Sequence, residues 1–137
     1  MTEPTVDAPS TITVLICDDN EEIRALLAQL IELEPGLRVV GYARDGEEVI
    51  AKARELQPDV ITLDLSMQGR SGLEALPELA LAAPTAKTIV VSAYAAPTIA
   101  REAMRRGAVG YVEKGTTMVE ELLLMIGSAF SIAAIPP

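Results

Sequence analysis

Five short apolar runs, each followed by a segment with helical periodicity, divide most of this sequence. The runs are residues 12–17, 37–43, 60–63, 87–91 and 109–112. The segments between them carry apolar residues three and four positions apart, as amphipathic helices do. Strands that alternate with helices form a parallel sheet covered on both faces, because the crossover connections are right-handed. The pattern therefore predicts an α/β domain built on a five-stranded parallel sheet.

The expected topology is the flavodoxin-like doubly wound (βα)5 arrangement, with strand order 2-1-3-4-5. Residues 12–131 are predicted to form this single domain. Residues 1–11 are predicted to be a disordered tail, and 132–137 a second tail or the start of a linker. Asn20 is expected to cap the first helix, whose apolar residues recur at helical spacing at Ile23, Leu26, Leu27, Leu30 and Ile31. Pro77, inside the third predicted helix, predicts either a kink or a helix that begins later, because proline lacks the backbone N–H.

Composition restricts the function. The 137 residues carry a net charge of −9, which disfavours direct binding of nucleic acid and suits a divalent cation. Cys17 is the single cysteine of the sequence, which excludes an internal disulfide, and its apolar strand predicts a buried thiol. The sequence shows no apolar run long enough for a membrane span and no signal peptide, so a soluble cytoplasmic protein is expected.

Polar residues stand just past the carboxyl ends of four of the predicted strands. They are Asp18 and Asp19 after strand one, Asp64 after strand three, Ser92 after strand four and Lys114 after strand five. The carboxyl ends of parallel strands meet at one edge of the sheet, where ligands bind in open α/β folds. Three carboxylates gathered there repel one another, and Mg²⁺ with oxygen ligands would compensate them. A carboxylate nucleophile, a metal ion and a lysine together suit phosphoryl transfer.

The same residues carry a resemblance to response-regulator receiver domains of bacterial two-component systems. The motifs are Leu15-Ile16-Cys17-Asp18-Asp19-Asn20, Val60-Ile61-Thr62-Leu63-Asp64-Leu65-Ser66-Met67, Val90-Val91-Ser92-Ala93-Tyr94 and Gly107-Ala108-Val109-Gly110-Tyr111-Val112-Glu113-Lys114. Their order and spacing make the combination specific, although each motif alone is weak. The third and fourth motifs are similar to those of the NarL/FixJ subfamily, whose members usually carry a helix-turn-helix output domain. Residues 1–137 do not include such a domain.

The resemblance implies a role for each site residue. Asp64 would accept the phosphoryl group from a phosphohistidine on a partner kinase. Asp18, Asp19, Asp64 and the backbone carbonyl of Ser66 would hold Mg²⁺, and Lys114 would contact a phosphoryl oxygen. The Ser92 hydroxyl would turn toward the attached group and Tyr111 would follow it inward, which would reshape the surface of helix four, strand five and helix five. The output controlled by this surface is expected to be transcription.

Some positions depart from the family pattern or leave alternatives open. Gln68 stands where the family usually has proline, which predicts a more mobile loop, and Ser66 and Tyr94 are expected to tune the lifetime of the phosphorylated state. Three arginines of the fourth helix, at positions 101, 105 and 106, are expected to form a solvated face. The apolar run 122–126 in the fifth helix allows a homodimer.

Two other functions remain open at this stage. One is a pseudo-receiver that acts as a constitutive docking surface without phosphorylation. The other is a phosphatase with an aspartate nucleophile, of the haloacid-dehalogenase type. That chemistry needs a second acid two residues after the nucleophile, where this chain has Ser66. Slow self-hydrolysis is therefore the most turnover expected of this chain.

Overall fold

The computed structural model describes residues 11–67, 69, 71–93 and 96–130. The strands are β1 (Ile12–Cys17), β2 (Leu37–Ala43), β3 (Val60–Leu63), β4 (Lys87–Ser92) and β5 (Gly110–Glu113). The helices are α1 (Glu21–Glu32), α2 (Gly46–Leu56), α3 (Gly72–Ala82), α4 (Pro97–Arg105) and α5 (Met118–Ala129). All strand pairs are parallel, and the sheet order is β2-β1-β3-β4-β5. The predicted fold is therefore confirmed. The predicted tails, apart from Thr11, and the positions of Gln68 and Tyr94 lie outside the described residues.

Alternating side chains of the strands enter two separate hydrophobic clusters, one on each face of the sheet. On the first face, Leu15, Ile61 and Val90 pack beneath α2, α3 and α4. On the second face, Ile16, Val60 and Ile89 pack beneath α1 and α5. Because β3 is central, all four of its residues are buried, as its continuous apolar sequence requires. Both faces of the sheet are therefore covered, which leaves its carboxyl edge for a site.

Local sequence signals set most helix boundaries. The Asn20 side chain accepts a hydrogen bond from the Ile23 amide at 3.0 Å, so the predicted cap of α1 is confirmed. Asp45 and Ser71 cap α2 and α3 in the same way. The helix α3 begins before Pro77 and continues past it, so the expectation of a later start is wrong. Pro77 is exposed to solvent, so the helix tolerates it without disturbance of the core.

The fifth helix presents its apolar run on two sides. Leu122, Leu123 and Ile126 are buried against the sheet, whereas Leu124 is 51% exposed. In α1, Leu27 and Ile31 are buried, but Leu26, which the periodicity grouped with them, is 42% exposed. The homodimer expected from the run in α5 stays a prediction.

Candidate acidic site at the carboxyl edge of the sheet

The register of the central strands brings Asp18 and Asp64 side by side. Cys17 is paired with Leu63 at the ends of β1 and β3, so the next residue of each chain segment is an aspartate. The Asp64 amide donates to the Cys17 carbonyl at 2.9 Å, which extends the parallel pairing into the loop. Both aspartates are buried, with 2% and 3% of their surface exposed. The predicted convergence of strand ends therefore has a direct backbone cause.

Three carboxylates and one amine meet at this edge. One carboxylate oxygen each from Asp18, Asp19 and Asp64 lies within 4.8 Å of the others, and Asp19 is the exposed member. The Lys114 amine lies 2.7 Å from Asp18 Oδ2 and 3.5 Å from Asp64 Oδ2. With all four groups ionised, three negative charges stand against one positive charge. A cluster with this excess of negative charge and these oxygen ligands suits a hard divalent cation.

Burial raises the pKa of the Asp64 carboxyl above its ordinary value of 3.8. The hydrogen bond that the Ser66 amide donates to Asp64 Oδ1 at 3.1 Å lowers this pKa. The charge of Asp18 raises it, and the nearby Lys114 amine lowers it. The net direction is upward, because an ionised group that loses water needs more compensation than one ammonium and one amide supply.

Lys114 shows the opposite balance. Burial alone would lower the pKa of the Lys114 amine, but the hydrogen bond and charge of Asp18 and the charge of Asp64 outweigh burial and raise the pKa. The amine therefore stays protonated at neutral pH. Its backbone position is fixed by the amide of Lys114, which donates to the Ser92 carbonyl at 2.8 Å.

The remaining predicted residues border the same region at different depths. Ser92 is 1% exposed at the end of β4, and it lines, together with Ser66, a cavity of about 370 Å³. The other lining residues are Leu65, Ser71, Leu73, Ala96 and Ile99. Tyr111 is half-buried on β5, opposite Val90, and packs against the cluster beneath α2, α3 and α4. The described structure therefore gathers the three acids and Lys114 directly, with the Ser66 amide bonded to Asp64, Ser92 at the adjacent strand end and Tyr111 on β5.

Sequence reasoning missed two residues that support the acids. An added Cβ at Gly72 would lie 2.3 Å from the Asp64 carbonyl oxygen, so only a glycine allows this approach of α3 to the strand end. Arg24 donates through Nη1 to the Asp18 carbonyl at 2.7 Å and so fixes the loop after β1 from α1. Glycine after a loop is a weak signal for close approach, and nothing in the sequence pattern singled out Arg24.

Cys17 is buried at 1% exposure, as predicted. Its sulfur lies 3.4 Å from the sulfur of Met67, a buried residue of the loop after Asp64. The contact closes that loop over the end of β1. Cys17 therefore packs as a small apolar residue beneath the acidic site.

Comparisons with known proteins agree with this geometry. The family model of the response regulator receiver domain matches residues 14–126. A protein-glutamate methylesterase/protein-glutamine glutaminase of Thermotoga maritima is 45% identical over 75% of this chain and 30% of its own length. The response regulator GacA of Pseudomonas viridiflava is 38% identical over 80% of this chain and 51% of its own length. The chain thus spans 30% of the first relative and 51% of the second.

A solved structure extends the match to the fold. The response regulator domain of Thermotoga maritima CheB is 37% identical, with a TM-score of 0.80, over 88% of this chain and 97% of that domain. Among the helices that the structure describes, none has the length and apolarity to cross a membrane. The family model and the relatives confirm the resemblance stated from the sequence motifs, and the chain belongs to the family of response regulator receiver domains.

Proposed function

We propose that this receiver domain takes up a phosphoryl group on Asp64, in a reaction that depends on Mg²⁺, and that the modified aspartate switches the surface formed by α4, β5 and α5. The observation that carries the proposal is the meeting of three carboxylates with the Lys114 amine, 3.5 Å from Asp64, at the carboxyl edge of the sheet. A site with this charge and depth suits the transfer of a phosphoryl group to a carboxylate.

In the transfer, a carboxylate oxygen of Asp64 attacks phosphorus. A P–O bond to Asp64 forms as the P–N bond of the donor phosphohistidine breaks, and the leaving imidazole nitrogen takes up a proton. The Ser66 amide holds Oδ1, which orients the carboxylate for attack. The Lys114 amine, already within 3.5 Å of Oδ2, donates to an oxygen of the arriving phosphoryl group. Asp64 is buried except at this edge, so water has limited access to the product.

The donor atoms present fit Mg²⁺. Asp18, Asp19 and Asp64 offer one oxygen each within 4.8 Å of one another, and oxygen is the ligand that Mg²⁺ prefers. The Ser66 carbonyl is the proposed further ligand. When bound, the ion neutralises the excess of negative charge and polarises the transferring oxygens. Arg24 holds the Asp18 carbonyl and the Asn20 amide holds Asp18 Oδ1, so the ligand side chain is fixed before any ion arrives.

Ser92 and Tyr111 are the proposed switch residues. The Ser92 hydroxyl can donate to a phosphoryl oxygen, because Ser92 and Ser66 border the same cavity. Tyr111, which is half-buried, then packs further inward. A local change of charge at Asp64 thereby biases a two-state surface, as other phosphorylation switches do.

The donor, location and output of the switch are part of the proposal. The donor is a sensor histidine kinase, since receiver domains take phosphate from such kinases and this sequence contains no histidine. The domain is expected to act in the cytoplasm, as a monomer or a homodimer, and without binding nucleic acid by itself. Transcription as the output stays a prediction, because one of the relatives above is named as a methylesterase.

The two alternatives make different predictions. A phosphatase would turn over a phosphomonoester, but the position two residues after Asp64 carries a serine rather than an acid. A pseudo-receiver would show no spectral response to beryllofluoride and Mg²⁺. The burial of Asp18 and Asp64 beside Lys114 favours the phosphoacceptor, since a docking surface has no need of buried charge.

The test is phosphorylation by acetyl phosphate with and without Mg²⁺, measured by intact-mass spectrometry and by sensitivity to hydroxylamine, which cleaves acyl phosphates. We expect the wild type to gain one phosphoryl group, Asp64→Asn to gain none and Lys114→Met to gain little. Glu55→Gln, at an exposed position of α2, is the matched control and should match the wild type. Equal uptake by Asp64→Asn and the wild type would refute the proposal.

A further inference from the structure

Pro77 leaves one backbone carbonyl of α3 without its helical donor. In an α-helix the amide of each residue donates to the carbonyl four residues earlier. Because Pro77 has no N–H, the carbonyl of Leu73 lacks its helical donor. Leu73 lies in the first turn of α3, directly after Gly72. The helix remains continuous through Pro77, so another group must satisfy this carbonyl.

Arg106, at the C-terminal end of α4, supplies a donor to this carbonyl. Its Nη1 donates to the Leu73 carbonyl at 3.2 Å, and its Nε donates to Glu102 Oε2 at 2.7 Å. Glu102 therefore orients the guanidinium from within α4. Arg105 also pairs with Glu102, but through the other carboxylate oxygen. The expectation that the three arginines of α4 form a plain solvated face is thus wrong for Arg106, whose side chain is 36% exposed and bridges two helices.

The α3 end of this bridge is attached to the acidic site. Gly72 packs against the Asp64 carbonyl so closely that a Cβ would meet it at 2.3 Å, and the Gly72 amide donates to the Leu65 carbonyl at 3.3 Å. A displacement of the loop after Asp64 therefore moves the first turn of α3. Leu73 of α3 and Ile99 of α4 also line the cavity that Ser92 borders, and the Arg106 hydrogen bond joins the same two helices.

The α4 end of the bridge has few other attachments. Of the nine residues of α4, all of which the structure describes, Ala103 alone is buried. Among the described residues, no side chain caps the N-terminus of α4, although Ile99 packs against the core at its edge. In a short helix with one fully buried residue, one hydrogen bond from a charged donor is a large share of what fixes its position.

We propose that Arg106 is a positioning residue that fixes α4 to the first turn of α3 by supplying the hydrogen bond that Pro77 withholds, and so transmits changes at Asp64 to α4. This inference rests on the proposed function, because it assumes that Asp64 is modified. In this proposal, phosphoryl uptake displaces the Asp64 backbone and Gly72 with it. The hydrogen bond from Arg106 to the Leu73 carbonyl then transmits the displacement to Arg106. The ion pair of Arg106 with Glu102 passes it on to α4. The bridge adds no chemistry to the transfer itself.

A double-mutant cycle between positions 106 and 77 tests the hydrogen bond. Arg106→Met keeps the apolar stem and removes the donors, and we expect the equilibrium constant for unfolding by urea to rise about tenfold. Arg105→Met also removes a positive charge and an ion pair with Glu102, but it leaves the hydrogen bond to Leu73 intact. Its effect on the equilibrium constant for unfolding should therefore stay within about twofold. Pro77→Ala restores the backbone donor, and in that background Arg106→Met should cost no more than Arg105→Met. Equal effects of Arg106→Met with and without Pro77 would overturn the assignment of the bond.

Amide spectra with beryllofluoride and Mg²⁺ test the transmission. In the wild type we expect shifts both in the loop 64–66 and in α4. Arg106→Met should keep the loop shifts and reduce those in α4 to less than about half, whereas Arg105→Met should keep both. Equal α4 shifts in the two variants would overturn this inference and leave the proposed function intact. A wild type whose loop 64–66 does not respond would overturn the proposed function, and this inference with it.

Discussion

Replacing Asp64 by asparagine should stabilise the metal-free domain at neutral pH, although it destroys the proposed acceptor. Burial raises the pKa of the Asp64 carboxyl above 3.8, so the folded state holds its proton more tightly than the unfolded chain does. A raised carboxyl pKa contributes stability while the group is protonated, and this contribution is lost as the pH rises from 3.8 through the folded pKa. An ionised Asp64 therefore destabilises the fold, and the neutral amide of asparagine removes this destabilisation.

The distances give the size of this effect. At 4.8 Å, the upper limit for the separation of these carboxylate oxygens, two carboxylates repel by about 3.5 kcal/mol at an effective dielectric constant of about 20. The attraction of Lys114 to Asp64 across 3.5 Å is about 4.7 kcal/mol on the same scale. Asp18 exerts its full repulsion, the exposed Asp19 exerts less because solvent screens it, and burial adds its own penalty. The charge terms nearly cancel, so the burial penalty decides the sign, and we expect Asp64→Asn to raise the free energy of unfolding by about 1–2 kcal/mol, the usual penalty for a buried polar group with incomplete compensation.

Urea unfolding of both proteins from pH 3.5 to 8, with and without Mg²⁺, measures this gain. The difference between variant and wild type should be near zero at the lowest pH and grow as the pH rises from 3.8 through the folded pKa of Asp64. Mg²⁺ should stabilise the wild type more than the variant and reduce the difference, because a bound ion stabilises the state that binds it. Glu55→Gln, at an exposed position outside the site, is the control variant. A variant that is less stable than the wild type at pH 7 without metal would refute the electrostatic reasoning.

Three further changes test particular contacts. Gly72→Ala should lower the free energy of unfolding by about 1–3 kcal/mol in urea titrations, since the new Cβ would meet the Asp64 carbonyl. Thr62→Val should raise the free energy of unfolding by about 1 kcal/mol in the same assay, because the buried Thr62 hydroxyl has no hydrogen-bond partner among the residues that the structure describes. Burial and the neighbouring acids raise the pKa of the Cys17 thiol above 9.0, so iodoacetamide at pH 8 should label it at least about 100-fold more slowly than in the urea-unfolded chain.

Each of these three has an outcome that would contradict it. Gly115 has open space around its Cα, so Gly115→Ala is the control for Gly72→Ala, and equal effects would rule out the steric argument. A loss of stability in Thr62→Val would mean that the hydroxyl has a partner in solution. Rapid labelling of Cys17 without urea would show that the loop containing Met67 opens readily above β1.

Much of the fold and of the site composition could be predicted from the sequence, since both depend on local patterns. The strand motifs and helix periodicity predict the parallel sheet, and acids directly after strands one and three must lie at its carboxyl edge. Asn20 as a cap and Cys17 as a buried residue follow from the same local rules. Leu26 was grouped with the core residues because periodicity gives a stripe of positions, and only packing decides where the edge of that stripe becomes exposed.

The contacts between distant segments were decided by the tertiary structure alone. The close approach of Gly72 to Asp64, the hold of Arg24 on the Asp18 carbonyl and the bridge from Arg106 to Leu73 each join elements whose relative position depends on the packing of the whole domain. Periodicity says which residues share a face of one helix, but not which groups of another helix that face will meet. For that physical reason the sequence by itself determined the layers, the strand ends and the chemical groups at the site, whereas the distances that set the pKa of Asp64 and the coupling of α3 to α4 required the folded chain.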